Sequence, residues 1–276
     1  MKKTLFLGFL FAAWLAFPSC EKSKQETVET ADIEESVNMA TADDLFDEVE
    51  EIADQAWEKG TILLKDGNAD RPHLGDCVTI TVDTTAIPRV MTIDFGETNC
   101  LCNDGKYRRG QIIVTFTGRY RRIGAVITHT FNNYYVNDNH VEGTKVMTNL
   151  GLNENGFMQF KHEVTGSITF IADGKVLSWT SLKTRTWIEG RETPRWRDDV
   201  FLIEGGSTAS SSTGGSHVRE ITNPLRRELN CKWFVSGTVL TTPAVRPERL
   251  LDFGDGTCDN LATLTIGDRT TTIILR

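Results

Sequence analysis

One strand-length stretch combines residue types that together could hold a ligand. From Val176 to Glu189 the odd positions read Leu177, Trp179, Ser181, Lys183, Arg185, Trp187 and Glu189, and a β-strand places alternate residues on one face. Two indoles bracketing two cations suit the flat face of a sugar ring or form a cation–π cluster. Burying both cations unpaired is costly, so this face is expected to be exposed or to line a wet cavity. Trp179, Lys183, Arg185 and Trp187 are therefore the candidate binding face. Arg108, Arg109, Arg119, Arg121 and Arg122 read as a local basic patch. It suits an anionic head group or an acidic partner, or simply a hairpin edge kept unsticky by charge.

Other chemistry finds little purchase. The histidines, His73, His129, His140, His162 and His217, are scattered, with no His-x-His or His-x-x-x-His pair. Neither a Gly-x-Ser-x-Gly elbow nor a phosphate-cradling Gly-x-x-x-x-Gly-Lys loop occurs, so no catalytic residue and no cofactor is assigned. Two Asp-Phe-Gly triplets, at 94–96 and 252–254, lack the other segments of a kinase. Asp252, Asp255 and Asp259 crowd three acids together without EF-hand spacing, which reads as a turn rather than a calcium loop. Carboxylates are plentiful, so an envelope hydrolase acting on glycans is the alternative, marked by a deep pocket with two carboxylates about 5–10 Å apart.

The cysteines carry an internal echo. Cys77 opens a strand and is followed by a proline-bearing link, a second strand and Asp94-Phe95-Gly96-Glu97-Thr98-Asn99-Cys100; Cys231 is followed in the same order by Asp252-Phe253-Gly254-Asp255-Gly256-Thr257-Cys258. In an exported chain such spacing predicts disulfides, here Cys77–Cys100 and Cys231–Cys258, a pseudo-repeat at the two ends of the domain. Cys102 is left over, and can exchange with Cys100 in the first bridge.

The elements that must position these residues follow from periodicity. Thr41-Ala42-Asp43-Asp44 makes a helix start, after which Leu45, Phe46, Val49, Ile52, Ala53, Ala56 and Trp57 recur at helical spacing up to Gly60. This predicts one amphipathic helix over 41–60, its apolar stripe on the body and its opposite face carrying Asp47, Glu48, Glu50, Glu51 and Asp54. From Cys77 the period becomes 2, in runs separated by turn signals such as Asn137-Asp138-Asn139, Asn155-Gly156 and Gly267-Asp268. Gly205 to Ser216 is nearly all Gly, Ser and Thr and reads as a flexible hairpin loop. The fold class is all-β: a long antiparallel meander over 61–276 forming a sandwich or open barrel, with the one N-terminal helix.

Ahead of the helix stands an address. Met1-Lys2-Lys3 and the apolar run Leu5 to Phe17, too short to span a bilayer, predict a signal peptide over 1–19. Pro18-Ser19-Cys20 resembles a lipobox, with Phe17 where leucine is usual, and the stretch 20–40 is rich in acids and free of Gly and Pro, as a polar tether would be. Cys20 is the expected lipidation site, and the covalent lipid the only added group.

Phe131-Asn132-Asn133-Tyr134-Tyr135-Val136-Asn137, Val141-Glu142-Gly143-Thr144-Lys145, Thr184-Arg185-Thr186-Trp187-Ile188-Glu189-Gly190 and Gly254-Asp255-Gly256-Thr257-Cys258-Asp259-Asn260 resemble a family of uncharacterised lipoproteins of the Bacteroidota. That resemblance runs from about residue 75 to the end; it implies export and a lipid anchor and brings no activity. The expected localisation is the bacterial outer membrane, on the periplasmic side or the cell surface. The expected partners are the membrane through the anchor and a glycan or envelope protein. Net charge is −8 over 276 residues, and removal of the first nineteen, which carry Lys2 and Lys3 and no acid, takes it to −10. Such a surface opposes phosphate neutralisation, so nucleic acid is not an expected partner.

Overall fold

The computed structural model describes residues 38, 41, 42, 45–57, 73–193 and 195–275, apart from the side chain of Trp196. The signal peptide, Cys20, the tether other than Asn38, and Gly60 lie outside the described residues. Helix α1 covers 45–57, with residues 41 and 42 also helical. Fourteen strands follow: β1 (Thr79–Asp83), β2 (Arg89–Asp94), β3 (Cys100–Leu101), β4 (Tyr107–Phe116), β5 (Val126–Val136), β6 (Asn139–Leu152), β7 (Met158–Thr169), β8 (Val176–Glu189), β9 (Val200–Ser211), β10 (Ser216–Glu228), β11 (Phe234–Pro243), β12 (Arg249–Asp255), β13 (Leu261–Ile266) and β14 (Arg269–Ile274). All belong to one antiparallel sheet in chain order, with β3 a short spur on β4. The sheet does not close; β1 and β14 are its edges. β3 aside, each strand therefore pairs with the next in the chain, as tight turns favour. Between β5 and β6, for example, Asn137 and Asp138 both take positive φ, the two-residue turn that Asn and Asp tolerate.

Alternate residues bury along the strands. β4 buries Ile112, Val114 and Phe116, and β7 buries Met158, Phe160 and Val164. One apolar cluster lies under β9–β14, around Val239, Leu251, Phe253 and Leu264. A second joins Met147, Met158, Phe160, Trp187 and Phe201.

Both predicted disulfides are formed, with Cα–Cα distances of 6.0 Å for Cys77–Cys100 and 5.8 Å for Cys231–Cys258, and Cys102 is free and buried. Each bridge spans a hairpin, β1–β2 or β11–β12, and the Asp-Phe-Gly triplets do the same work in both. Asp94 Oδ1 accepts from Gly96 N at 2.7 Å and Asp252 Oδ1 from Gly254 N at 2.9 Å. Phe95 and Phe253 are buried, and both glycines hold positive φ, +86° and +96°, which a side chain would strain. The three acids of the calcium reading accept locally as well: Asp252 from Gly254, Asp255 from Thr257, Asp259 from Leu261. Converting Cys231 and Cys258 to Ser is expected to lower unfolding free energy by about 3 kcal/mol, since the bridge restricts the unfolded chain; urea unfolding checks this, and a change under about 1 kcal/mol would refute it.

One sequence expectation about the strands needs correction. Gly205 to Ser216 is no flexible insert. It forms the end of β9 and the start of β10, and only 212–215 turns. Its small residues answer to close approach: at Gly205, φ +115°, a Cβ would lie 2.3 Å from Leu182 O. The strand expected before the second triplet is β12.

Candidate functional site

Helix α1 lies against the inward face of the sheet, and most of its circumference is covered. Leu45, Phe46, Val49, Ile52, Ala53 and Ala56 are buried as the apolar stripe demands, but so is Glu50, while Asp47, Glu48 and Glu51 are half-buried. Phe46 meets Phe131 of β5 and Trp179 of β8 edge-on, with centroids 5.5 and 4.4 Å apart, and Trp57 meets Phe116 of β4 at 5.3 Å. The acidic face expected in solvent is thus turned largely into protein. Its repulsions at i+3 and i+4 would weaken an isolated helix; cations on the strands answer them.

Glu50 is the centre of this arrangement. Its Oε2 lies 3.1 Å from Lys145 Nζ of β6, 3.3 Å from His162 Nδ1 of β7 and 3.3 Å from an Arg185 guanidinium nitrogen of β8, in aligned hydrogen bonding with none of them. Lys145 also donates to Phe46 O at 2.9 Å and faces Asp47 at 3.6 Å. Burial opposes ionisation of Glu50, but His162, Lys145 and Arg185 hold its carboxyl well below the usual range. For His162 burial comes first and pushes the imidazole down to about 3, with Lys145 and Arg185 adding to the effect against the pull of Glu50. Glu50 and His162 form one coupled pair. With two permanent cations on the carboxylate, the pair at pH 7 is neutral imidazole beside ionised carboxylate.

A second network flanks the first. Arg108, 0% exposed, grips Asp104 through two nitrogens at 2.9 and 2.7 Å and reaches Glu48 at 2.9 Å. Glu48 also pairs with Lys106. His73 sits between Asp104 Oδ2 at 2.9 Å and Glu51 Oε2 at 3.0 Å, and Glu51 meets Arg227 of β10 at 3.1 Å. Burial lowers the His73 pKa, but these two acceptors outweigh it and raise it to about 9. Ligand atoms of Glu48, His73 and Asp104 lie within 4.8 Å of one another, close enough for a metal ion. The donor set does not fit one: His73 gives both ring N–H groups to carboxylates, and Arg108 and Lys106 occupy the remaining oxygens.

Three hollows mark the domain, two of them lined by residues of these networks. One of about 340 Å³ lies over the His73–Glu51–Arg227 network, and an open one of about 1030 Å³ is floored by Trp179 among small residues of β6–β10. The third, about 370 Å³, lies beside the C-terminal half of α1; its wall is Met91, Val114, Phe116, Ile127 and Met147 with Ala53 and Trp57. Glu50 and His129 line its interior, and Asp54, Arg89, Arg119 and Arg121 its exposed rim.

The predicted binding face fares differently from its forecast. Trp179 (6% exposed), Arg185 (6%) and Trp187 (3%) do share a face, but it is buried; Lys183 is half-buried and adds to the positive field on Asp47. Desolvation of the cations is offset because α1 brings carboxylates to them, and Arg185 also stacks on Phe201 at 4.7 Å. The five arginines are not one patch. Arg108 and Arg109 stand at the start of β4, Arg109 over the Tyr135 ring at 3.8 Å and paired with Asp138, whereas Arg119, Arg121 and Arg122 are exposed beyond its end. Glu50, Lys145, His162 and His129 were missed as a group. A lone acid on a helix and single basic residues on three strands leave no spacing signal. No helix among the described residues is long and apolar enough to cross a membrane. Compared with protein-family models, with curated proteins and with solved structures, the chain matches none of them.

Proposed function

We propose that this chain is an exported protein of the bacterial envelope, anchored in the outer membrane by lipid on Cys20, with a non-enzymatic binding role exercised in the hollow beside α1. The observation carrying the binding role is that hollow. Interiors pack to crystal-like density, yet here about 370 Å³ is left within an apolar wall, a size within the roughly 300–1,000 Å³ of small-molecule sites. The anchor rests on the basic start, short apolar run, lipobox-like Ser19-Cys20 and acid-rich tether. Glycan hydrolysis is the weaker reading, because it needs a carboxyl held protonated as general acid. Glu50, the buried carboxylate of the cavity, is held ionised instead. Asp199, pushed up to about 6 by burial and then by Asp198, lines none of the three hollows.

Two measurements test the two halves. Cys20→Ala is expected to move the protein out of the membrane fraction; retention without accumulation of unprocessed chain would remove the anchor. The uncharged fluorophore N-phenylnaphthylamine is expected to bind the full chain, and Met147→Trp, which fills the cavity, to weaken it at least tenfold. Equal binding by both forms would place the binding site elsewhere.

A further inference from the structure

Register gives the cavity beside α1 a polar end and an apolar wall. At one level Arg89 of β2 stands opposite Phe116 of β4, Phe116 opposite Ile127 of β5, and Ile127 opposite Met147 of β6. Two residues along each strand, about 7 Å inward, the same face carries Met91, Val114 and His129. Arg89 and Arg119 border the opening, are exposed, and have no ion-pair partner among the described residues. Arg121 is already engaged, over the Trp187 ring at 4.7 Å and donating to Arg191 O at 3.0 Å. Asp54 is the acid at the rim. Inside, His129 is 1% exposed and neither ring nitrogen has an aligned hydrogen-bond partner. Glu50, the interior's charged group, already faces Lys145, His162 and Arg185, whereas the cost of burying the His129 ring without an aligned partner is relieved if the occupant of the space brings a polar atom to it.

Resting on the reading of this cavity as the binding site, we infer that its ligand is a single-chain amphiphile with an anionic head group: head at Arg89 and Arg119, chain along Met91, Val114, Phe116, Ile127 and Met147, and a hydroxyl close to the head at His129. The volume suits one chain rather than two. An uncharged ligand would leave the two unpaired guanidinium groups without a role, and a cationic one would be repelled by them. A carboxylate and a phosphate monoester share the required chemistry.

The test uses the full chain in nanodiscs of zwitterionic lipid, with empty discs as control, and calorimetric titration of four twelve-carbon probes: dodecanoate, 3-hydroxydodecanoate, dodecyl phosphate and dodecyltrimethylammonium. Binding of the anionic probes but not of the cationic one is expected. The 3-hydroxy acid should bind about fivefold more tightly than dodecanoate, the worth of one hydrogen bond, and His129→Phe should abolish that preference. Arg89→Ala combined with Arg119→Ala should weaken every anionic probe about a hundredfold while leaving N-phenylnaphthylamine binding unchanged, which also reports an intact fold. Preference for dodecyl phosphate would make the source a single-chain phosphate monoester, such as a lysophosphatidic acid, and preference for the acids a free fatty acid; both support the inference. Equal binding of the cationic probe, or indifference to the double arginine variant, overturns the anionic head group even where the neutral fluorophore still binds. Indifference to the hydroxyl overturns the role of His129. Absence of all binding, fluorophore included, overturns the cavity as the site.

Discussion

Replacing Glu50 with Ala is expected to destabilise the fold by about 3–5 kcal/mol or more, the range for removing one partner of a buried ion pair. The reason is asymmetric. Glu50 sits between Lys145, 1% exposed, and Arg185, 6% exposed, and the substitution takes the nearest carboxylate from both charges in a low-dielectric interior, leaving Lys145 only Asp47 at 3.6 Å. Glu50→Gln keeps the shape and loses the charge, so it should be nearly as damaging. Restoring balance is the sharper test: in the background Arg185→Met, the cost of Glu50→Ala should shrink by at least 1 kcal/mol, a coupling of the size seen for contacting groups. Denaturant unfolding with unchanged m-values reads both. A cost under about 1 kcal/mol for Glu50→Ala would mean that the helix is not held by this charge.

Stability is also expected to peak near pH 6.5–7 and fall on both sides, by several kcal/mol toward acid. His129 and His162 are the acid-side groups: burial, with Lys145 adding, lowers His129 to about 4, and burial lowers His162 to about 3, against an unfolded value near 6.5. Depressed pKa values mean that the unfolded chain binds more protons below pH 6.5, so the stability present above that pH is lost as pH falls toward 4 and 3. Below about 4.5 the carboxylates add to the loss. Glu51 is raised by burial but lowered further by His73 and Arg227, to about 2, and Glu50 and Asp104 are likewise held low. His73 works in the opposite direction. Raised to about 9, it contributes fully below pH 6.5, and that contribution, on the order of 3 kcal/mol at 1.36 kcal/mol per unit, disappears as pH rises through 9. Urea midpoints from pH 4 to 10 check the profile; His73→Asn should flatten the alkaline limb and His162→Leu the acid one. A midpoint constant across that range would refute the assignment.

Much of the architecture is legible in local pattern. Alternation marks the strands, Asn137-Asp138 and Asn155-Gly156 mark the turns, and the paired Cys and Asp-Phe-Gly segments mark both bridged hairpins, because each of these signals acts over a few tens of residues. The odd positions of β8 were even assigned to one face correctly. Which way that face looks depends on Glu50, more than a hundred residues upstream of Arg185, and on the same principle that was used against burial: a cation goes inside only with a carboxylate. Five acids on one helix read as a solvated face, because nothing near them in sequence announces Lys145, Arg185, Arg108 and Arg227. Gly205 to Ser216 misled for another reason. Composition cannot separate a glycine that wanders from one that lets two strands draw close.

The position of α1 also inverts the order of assembly. β3 aside, every strand finds its partner next to it in the chain, so the sheet can grow from either end by short-range steps. The helix, made first, makes ion pairs and ring contacts that run from β4 to β10, the farthest being Glu51 with Arg227 at a separation of 176 residues. Thirteen described residues carrying five acids hold little helix on their own. As the chain is made amino end first, this segment must therefore wait, unfolded and unpaired, until most of the sheet has followed it. That interval is when a chaperone or a protease would find this protein, and α1 is where it would take hold.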